Sequence, residues 1–184
     1  FISFNDLSDI ERHFTQGIAI SSSLSLAGKT RIRRSAAVRK HFATTMGKDF
    51  TRVPLDEKFS LVSGYNKILR SSAKIQTTRA AYRDVITDYA YLNSEGSEIT
   101  YDRAYCGVQF SSVARDGSVI QPYGESVSAY GGYEIAEGRD GLADAVAKIA
   151  VDLLSAGPVP GGTYRVVADQ KLAGVFIHEA FGHL

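Results

Sequence analysis

Two histidines and a glutamate stand together in the stretch Phe176-Ile177-His178-Glu179-Ala180-Phe181-Gly182-His183-Leu184. These side chains in this order suit zinc-dependent hydrolysis. Two neutral imidazoles can share one ion, and a neighbouring carboxylate that does not ligate can take a proton from the water whose pKa the ion lowers. The usual helical form is H-E-x-x-H. Here the order is H-E-x-x-x-H, with one residue more between the histidines. At about 100° per residue, an ideal α-helix brings positions four apart within ~40° of each other and leaves positions five apart ~140° apart. Shared ligation by His178 and His183 therefore demands a widened turn, as a π-bulge or local unwinding. Gly182 is where the backbone is freest to supply it. The competing reading is a helix-end histidine favoured by the dipole.

The elements that must position this triplet are legible to different degrees. Residues 170–184 read as a helix with Asp169 as its cap, and "TYRVVAD" (163–169) reads as a strand leading into it. The segment "GPVPGG" (157–162) is a stiff-then-flexible linker and the best domain boundary in the chain. Ahead of it runs an amphipathic helix from the cap Asp140, with Leu142, Val146, Ile149 and Leu153 as its buried stripe. Residues 77–133 are rich in Thr, Tyr, Val and Ile and are punctuated by "NSEG" (93–96) and "RDGS" (115–118), which predicts antiparallel hairpins. Residues 98–114 are long enough for one strand, kinked at Gly107 by a bulge. Pro54 with Asp56 and Glu57 starts a helix to about residue 72, on the period of Leu55, Phe59, Val62, Ile68 and Leu69.

The first fifty residues are less clear. A capping pattern at Asp6 or Ser8 precedes Ile10-Glu11 and a serine-rich apolar run. Residues 29–48 hold Lys29, Arg31, Arg33, Arg34, Arg39, Lys40 and Lys48 with no acid, as a basic helix face or a connector. The fold expected is α+β: a twisted antiparallel sheet with flanking helices over residues 1–156, the linker 157–162, and from 163 to 184 the opening strand and helix of a further domain.

Bulk composition narrows the function classes. The chain has 184 residues, 44% hydrophobic and 22% charged, with a net charge of +1 that favours neither nucleic acid nor an anionic membrane. One cysteine, Cys106, excludes an internal disulfide, fits a reducing compartment, and reads as a buried small apolar residue. No apolar run nears the roughly 20 residues that span a bilayer. The first residues carry neither a methionine nor a signal peptide and the last fall inside a helix, so the chain reads as a piece of a longer polypeptide.

Other motifs weigh less. Ala27-Gly28-Lys29-Thr30 echoes a phosphate loop, but Ser23 stands where that motif needs glycine. Tyr82, Tyr89, Tyr91, Tyr101, Tyr105, Tyr123, Tyr130 and Tyr133 either line a peptide groove or are half-buried sheet residues, and the second reading is preferred. His13 and His41 have no sequence partners and read as surface residues.

The segment "GTYRVVADQKLAGVFIHEAFGHL" resembles the domain junction of the TldD/PmbA family, known as modulators of DNA gyrase and as peptide-processing metalloproteases. "YLNSEGSEITYDRAYCGVQFSSVARDG" is similar to that family's hairpin region, and the resemblance extends over residues 75–184, more loosely before them. It implies the catalytic, TldD-like type: His178 and His183 as zinc ligands, Glu179 as general base, and a third ligand, a cysteine, well downstream. Cys106 does not match that ligand, and the glutamate that commonly follows the second histidine is not here. It also implies unfolded or small modified peptides as substrates, and a cytoplasmic dimer with a PmbA-like (TldE) paralogue or with itself. With two ligands only, these 184 residues alone should be inactive. Two other readings remain: a non-enzymatic assembly module with structural histidines, and a DNA gyrase or nucleic-acid modulator acting through residues 29–40.

Overall fold

The computed structural model describes residue 6, residues 8–24 and residues 36–183. In chain order these form α1 (Ile10–Ser23), β1 (Arg39–Phe42), α2 (Leu55–Leu69), β2 (Ile75–Leu92), β3 (Glu98–Asp116), β4 (Val119–Tyr130), α3 (Asp140–Asp152) and α4 (Gln170–Ile177). The α+β class is as expected, and both predicted turns join strands. The RDGS turn is tight, with Gly117 at φ 58°, a left-handed conformation that glycine adopts without strain. Of the basic run, residues 25–35 lie outside the described residues, and Arg39–Phe42 is neither helix nor connector: it pairs in parallel with Glu98–Tyr101 at the start of β3. The sheet is therefore mixed, with β3 between β2 and its two other partners. No helix among the described residues is long and apolar enough to cross a membrane.

The described residues fall into two compact units. One contains the described parts of Phe1–Phe42 together with Asp88–Tyr101, and the other Ala43–Thr87 with Asp102–Leu184. In the first, His41 is exposed, and its Nδ1 lies 3.0 Å from Thr100 Oγ1.

The second unit holds the core. Ala104, Cys106, Val108 and Phe110, alternate residues on one face of β3, pack with Tyr65 and Leu69 of α2 and with Ala143 and Val146 of α3. Cys106 is fully buried, as expected, and burial pushes its thiol pKa up. Two helices bury only part of the stripe their large residues predict, Ile68 and Leu69 in α2 and Leu142 and Val146 in α3. In α2, Leu55 and Phe59 are 80% and 72% exposed, and the buried side runs through Leu61, Tyr65 and Leu69. In α3 the buried residues are Ala143, Val146, Ala147 and Ala150, because small side chains let the helix axis approach its neighbours closely, while Leu142 flanks the seam.

Gly107 does not interrupt the pairing of β3 with β4. That ladder runs in unbroken register from Tyr105↔Tyr130 to Asp116↔Val119, so it contains no bulge. Glycine is required there by crowding: a Cβ would stand 2.5 Å from Ser128 Cβ and 2.7 Å from the Val127 carbonyl oxygen. The strand predicted at 163–169 does not form, and Val166 and Val167 are 71% and 93% exposed. An alternating pattern makes a strand only where a sheet edge accepts its backbone, and no described strand does so here.

Glu134 clamps the loop before α2 to the loop before α3. Its carboxylate accepts from the backbone N–H groups of Gly47 (3.1 Å), Lys48 (2.7 Å) and Gly132 (2.8 Å). These bonds, with Gly132 foremost, hold its pKa down at about 2. Lys48 joins the clamp through Glu57 and Glu137, at 2.9 Å each, with its ammonium 4.5 Å from the centre of the Tyr133 ring. Tyr65 pins the adjoining turn, donating its hydroxyl to the Ala136 carbonyl at 2.7 Å and accepting from Arg139 N–H at 3.1 Å.

Glu134→Gln should lower stability at neutral pH by about 1–2 kcal/mol, as charge-assisted hydrogen bonds are lost. A carboxylate with a depressed folded pKa contributes stability that is complete above its unfolded pKa and lost as pH falls through the folded one. Thermal melts of both proteins should therefore show a gap that is full above about pH 4.5 and closes toward pH 2. A gap independent of pH would contradict this account of the clamp.

Candidate metal centre

Asp169 starts the helix that carries the motif: its side chain accepts from Leu172 N–H at 2.9 Å, as its position predicts. The helix runs as α through Ile177 and then widens, and His178–Gly182 form a π turn. This is the distortion that the spacing of the histidines demands. A π turn closes from i to i+5, so residues five apart come one above the other. His178 and His183 accordingly meet, with ring centroids 4.6 Å apart and planes at 73°. Glu179 Oε2 lies 3.9 Å from His183 Nε2. One potential ligand atom from each of the three residues falls within 4.8 Å of the others, and all three side chains are exposed.

Gly182 serves this arrangement in a way its sequence position did not reveal. Its φ is not positive, so the backbone asks for no special freedom there. What matters is room: a Cβ on Gly182 would stand 3.0 Å from His178 Nδ1, in the space over which that imidazole folds. Larger residues would push the ring away from its partner.

The donor set fits a borderline cation such as zinc. Imidazoles are among its ordinary ligands, and tetrahedral binding at ~2.0–2.1 Å places two nitrogens about 3.3 Å apart. Exposed side chains already within 4.8 Å reach that spacing by small rotations. Cys106 takes no part, being buried in the core beside the Tyr82 hydroxyl at 3.6 Å. The Tyr82 ring packs against the core: its hydroxyl donates to Asp84 at 2.8 Å, and burial first drives its pKa upward. The preferred reading of the tyrosines holds for Tyr82, Tyr101, Tyr105 and Tyr123, which are partly buried, while Tyr133 is fully buried and Tyr89, Tyr91 and Tyr130 are exposed.

One contact that sequence reasoning missed ties α4 to the sheet. Lys171 Nζ lies 2.7 Å from Glu125 Oε2, and the Tyr123 hydroxyl donates to the same carboxylate at 2.8 Å. The lysine's hydrogen bond is the main cause of the lowered Glu125 pKa. The residues are 46 apart in sequence, and no local pattern links them. Beyond this tie α4 buries nothing. Val175, Phe176, Ile177 and Phe181 are each more than half exposed, which leaves an apolar surface around the histidines.

The chain is similar to known proteins in sequence and in fold. The profile of the PmbA/TldA metallopeptidase central domain matches residues 48–154. A metalloprotease from Methanothermobacter thermautotrophicus is 36% identical over 167 residues, covering 90% of this chain and 37% of the relative. A metalloprotease from Synechocystis is 32% identical over 186 residues, covering 100% and 40%. The zinc metalloprotease TldD homolog of Saccharolobus solfataricus is 28% identical over 147 residues, covering 79% and 33%. The chain thus spans about two fifths of the length of the first two of these relatives. A crystal structure from Thermotoga maritima, of a candidate modulator of a DNA gyrase, superposes with a TM-score of 0.66 over 86% of this chain and 36% of that one, at 14% identity, and so shares the fold. With a family profile covering more than half its length and a fold to match, the chain belongs to the PmbA/TldD metallopeptidase family.

Proposed function

We propose that this chain supplies the histidine pair and the general base of a zinc-dependent peptidase of the TldD type. The observation that carries the reading is the π turn, which sets His178 and His183 face to edge with Glu179 beside them. A helix end with merely structural histidines has no need of a widened turn, nor of a glycine that clears space for one ring. His178 and His183 would hold the ion, and its chemistry when bound is Lewis-acid activation of water and of a peptide carbonyl.

The chain's own residues do the rest. Glu179 follows His178 directly, and its carboxylate is exposed and 3.9 Å from His183, placed to accept a proton from the attacking water and return it to the departing amine. The apolar side chains of Phe176, Ile177 and Phe181 lower the polarity around the charges, which strengthens electrostatic interactions once substrate excludes water. A catalytic zinc normally takes three protein ligands, and no cysteine or further histidine joins this cluster among the described residues. The third ligand therefore belongs to the remainder of the longer polypeptide that the relatives represent, and these 184 residues alone are inactive. On the family resemblance, the substrates would be unfolded or small modified peptides, and the partner a PmbA-like paralogue or a second copy. An assembly module without chemistry would leave the π turn unexplained.

In the full-length protein, Glu179→Gln should reduce peptide hydrolysis by about 10²–10⁴-fold while leaving the zinc content intact, as expected for a general base that does not ligate. Retained activity, or loss of zinc in step with activity, would overturn that role. Gly182→Ala should weaken zinc binding by roughly fivefold, since a displaced His178 rotamer costs about 1 kcal/mol. Competition with a chromogenic chelator measures this, and an unchanged affinity would show that the close approach of ring and glycine has no bearing on the ion.

A further inference from the structure

Charge in the sheet of the second unit is sorted by face. Side chains along β2, β3 and β4 alternate between two sides. One side meets the helices, with Tyr82, Val108 and Val127 in or against the core. Its carboxylates are neutralised there: Asp84 pairs with Lys58 of α2, and Glu125 with Lys171. The opposite side is carried by odd-numbered residues of β2 and β3 and even-numbered residues of β4. Over residues 75–87, 103–115 and 120–130 it bears Arg79, Arg83, Arg103 and Arg115 and no acid. The chain as a whole has 21 basic and 20 acidic residues, so this is segregation and not a reflection of a basic composition.

Two of the four arginines are engaged. Arg103 lies 5.6 Å from the centre of the Tyr130 ring, and Arg115 Nε donates to the Gly117 carbonyl at 2.7 Å. Arg79 and Arg83 are exposed, and neither has a hydrogen bond or ion pair among the described residues. Both line a cavity of about 470 Å³, together with Gln109, Ser126 and Ser128, which are also exposed. Gly107 keeps the floor low, since the crowding against Ser128 admits no larger residue.

We propose that this face docks an extended acidic peptide segment, with Arg79 and Arg83 receiving its carboxylates. The complementarity is one of charge and of spacing. Four positions along a strand span about 13 Å, so carboxylates four apart in an extended peptide lying along β2 match the two guanidinium groups. A guanidinium presents a planar fork that takes a carboxylate through two hydrogen bonds. Gln109, Ser126 and Ser128 offer further donors and acceptors to the peptide backbone. Single-stranded nucleic acid fits less well, because it needs open aromatic faces for stacking. Here Tyr105 and Tyr130 close on each other edge to face at 6.1 Å, and Arg103 already occupies Tyr130. The inference rests on the peptidase reading only for the identity of the peptide as substrate, since the docking itself uses none of His178, Glu179 or His183.

The test uses fluorescence anisotropy with the protein carrying Glu179→Gln, so that no probe is cleaved. The probes are a labelled peptide with glutamates four positions apart, its glutamine counterpart, and a single-stranded oligonucleotide. The acidic peptide should bind about tenfold more tightly than the glutamine peptide at low salt. Replacing both Arg79→Ser and Arg83→Ser should abolish that preference with the thermal melt and zinc content unchanged. Equal affinity for the two peptides, a preference that survives the double substitution, or displacement of the acidic peptide by the oligonucleotide would overturn the proposal. Docking without hydrolysis of any peptide by the unmutated full-length protein would sink the peptidase reading and leave the docking face standing.

Discussion

One extra residue of backbone in the final turn of a helix governs whether the two histidines of this chain meet. In an unperturbed α-helix the two imidazoles would diverge by ~140°. Widening the turn over His178–Gly182 aligns them and leaves Glu179 within reach of His183. That widening is unfavourable in isolation, because π geometry is rare outside functional sites. It is accommodated here by the absence of a side chain at Gly182, which leaves His178 room to fold across the turn.

The rest of the second unit gives that turn a fixed starting point. Phe110 and its neighbours on β3 pack under α2 and α3, while the Glu134 clamp fastens the loops that lead into those helices. From this base β4 presents Glu125, which holds Lys171 at the first turn of α4, and Asp169 caps the same turn. The histidines themselves stay in solvent among exposed apolar side chains. Core, clamp and cap are therefore tightly determined, whereas the histidine-bearing end is exposed and lightly held.

Much of this was readable from residue order where the signal is local. The Asp169 cap, both hairpin turns and the need for a widened turn between His178 and His183 each depend on residues a few positions apart. What escaped depends on tertiary packing. Ala143, Ala147 and Ala150 join the predicted Val146 in seating α3, because the closeness of neighbouring elements decides which face is buried. Gly107 resembled a bulge but answers to Ser128 across the ladder, and "TYRVVAD" has a strand's composition without an edge to join. The Lys171–Glu125 tie and the sorting of arginines to one face of the sheet emerge only once strands are placed side by side.

The central claim is that His178 and His183 bind one ion together. Zinc-edge X-ray absorption of the zinc-loaded full-length protein tests it most directly. Two imidazole nitrogens should be found at ~2.0–2.1 Å, falling to one in His183→Ala and to one in His178→Ala. An imidazole count that neither substitution changes would contradict the account, whatever the activity of the protein.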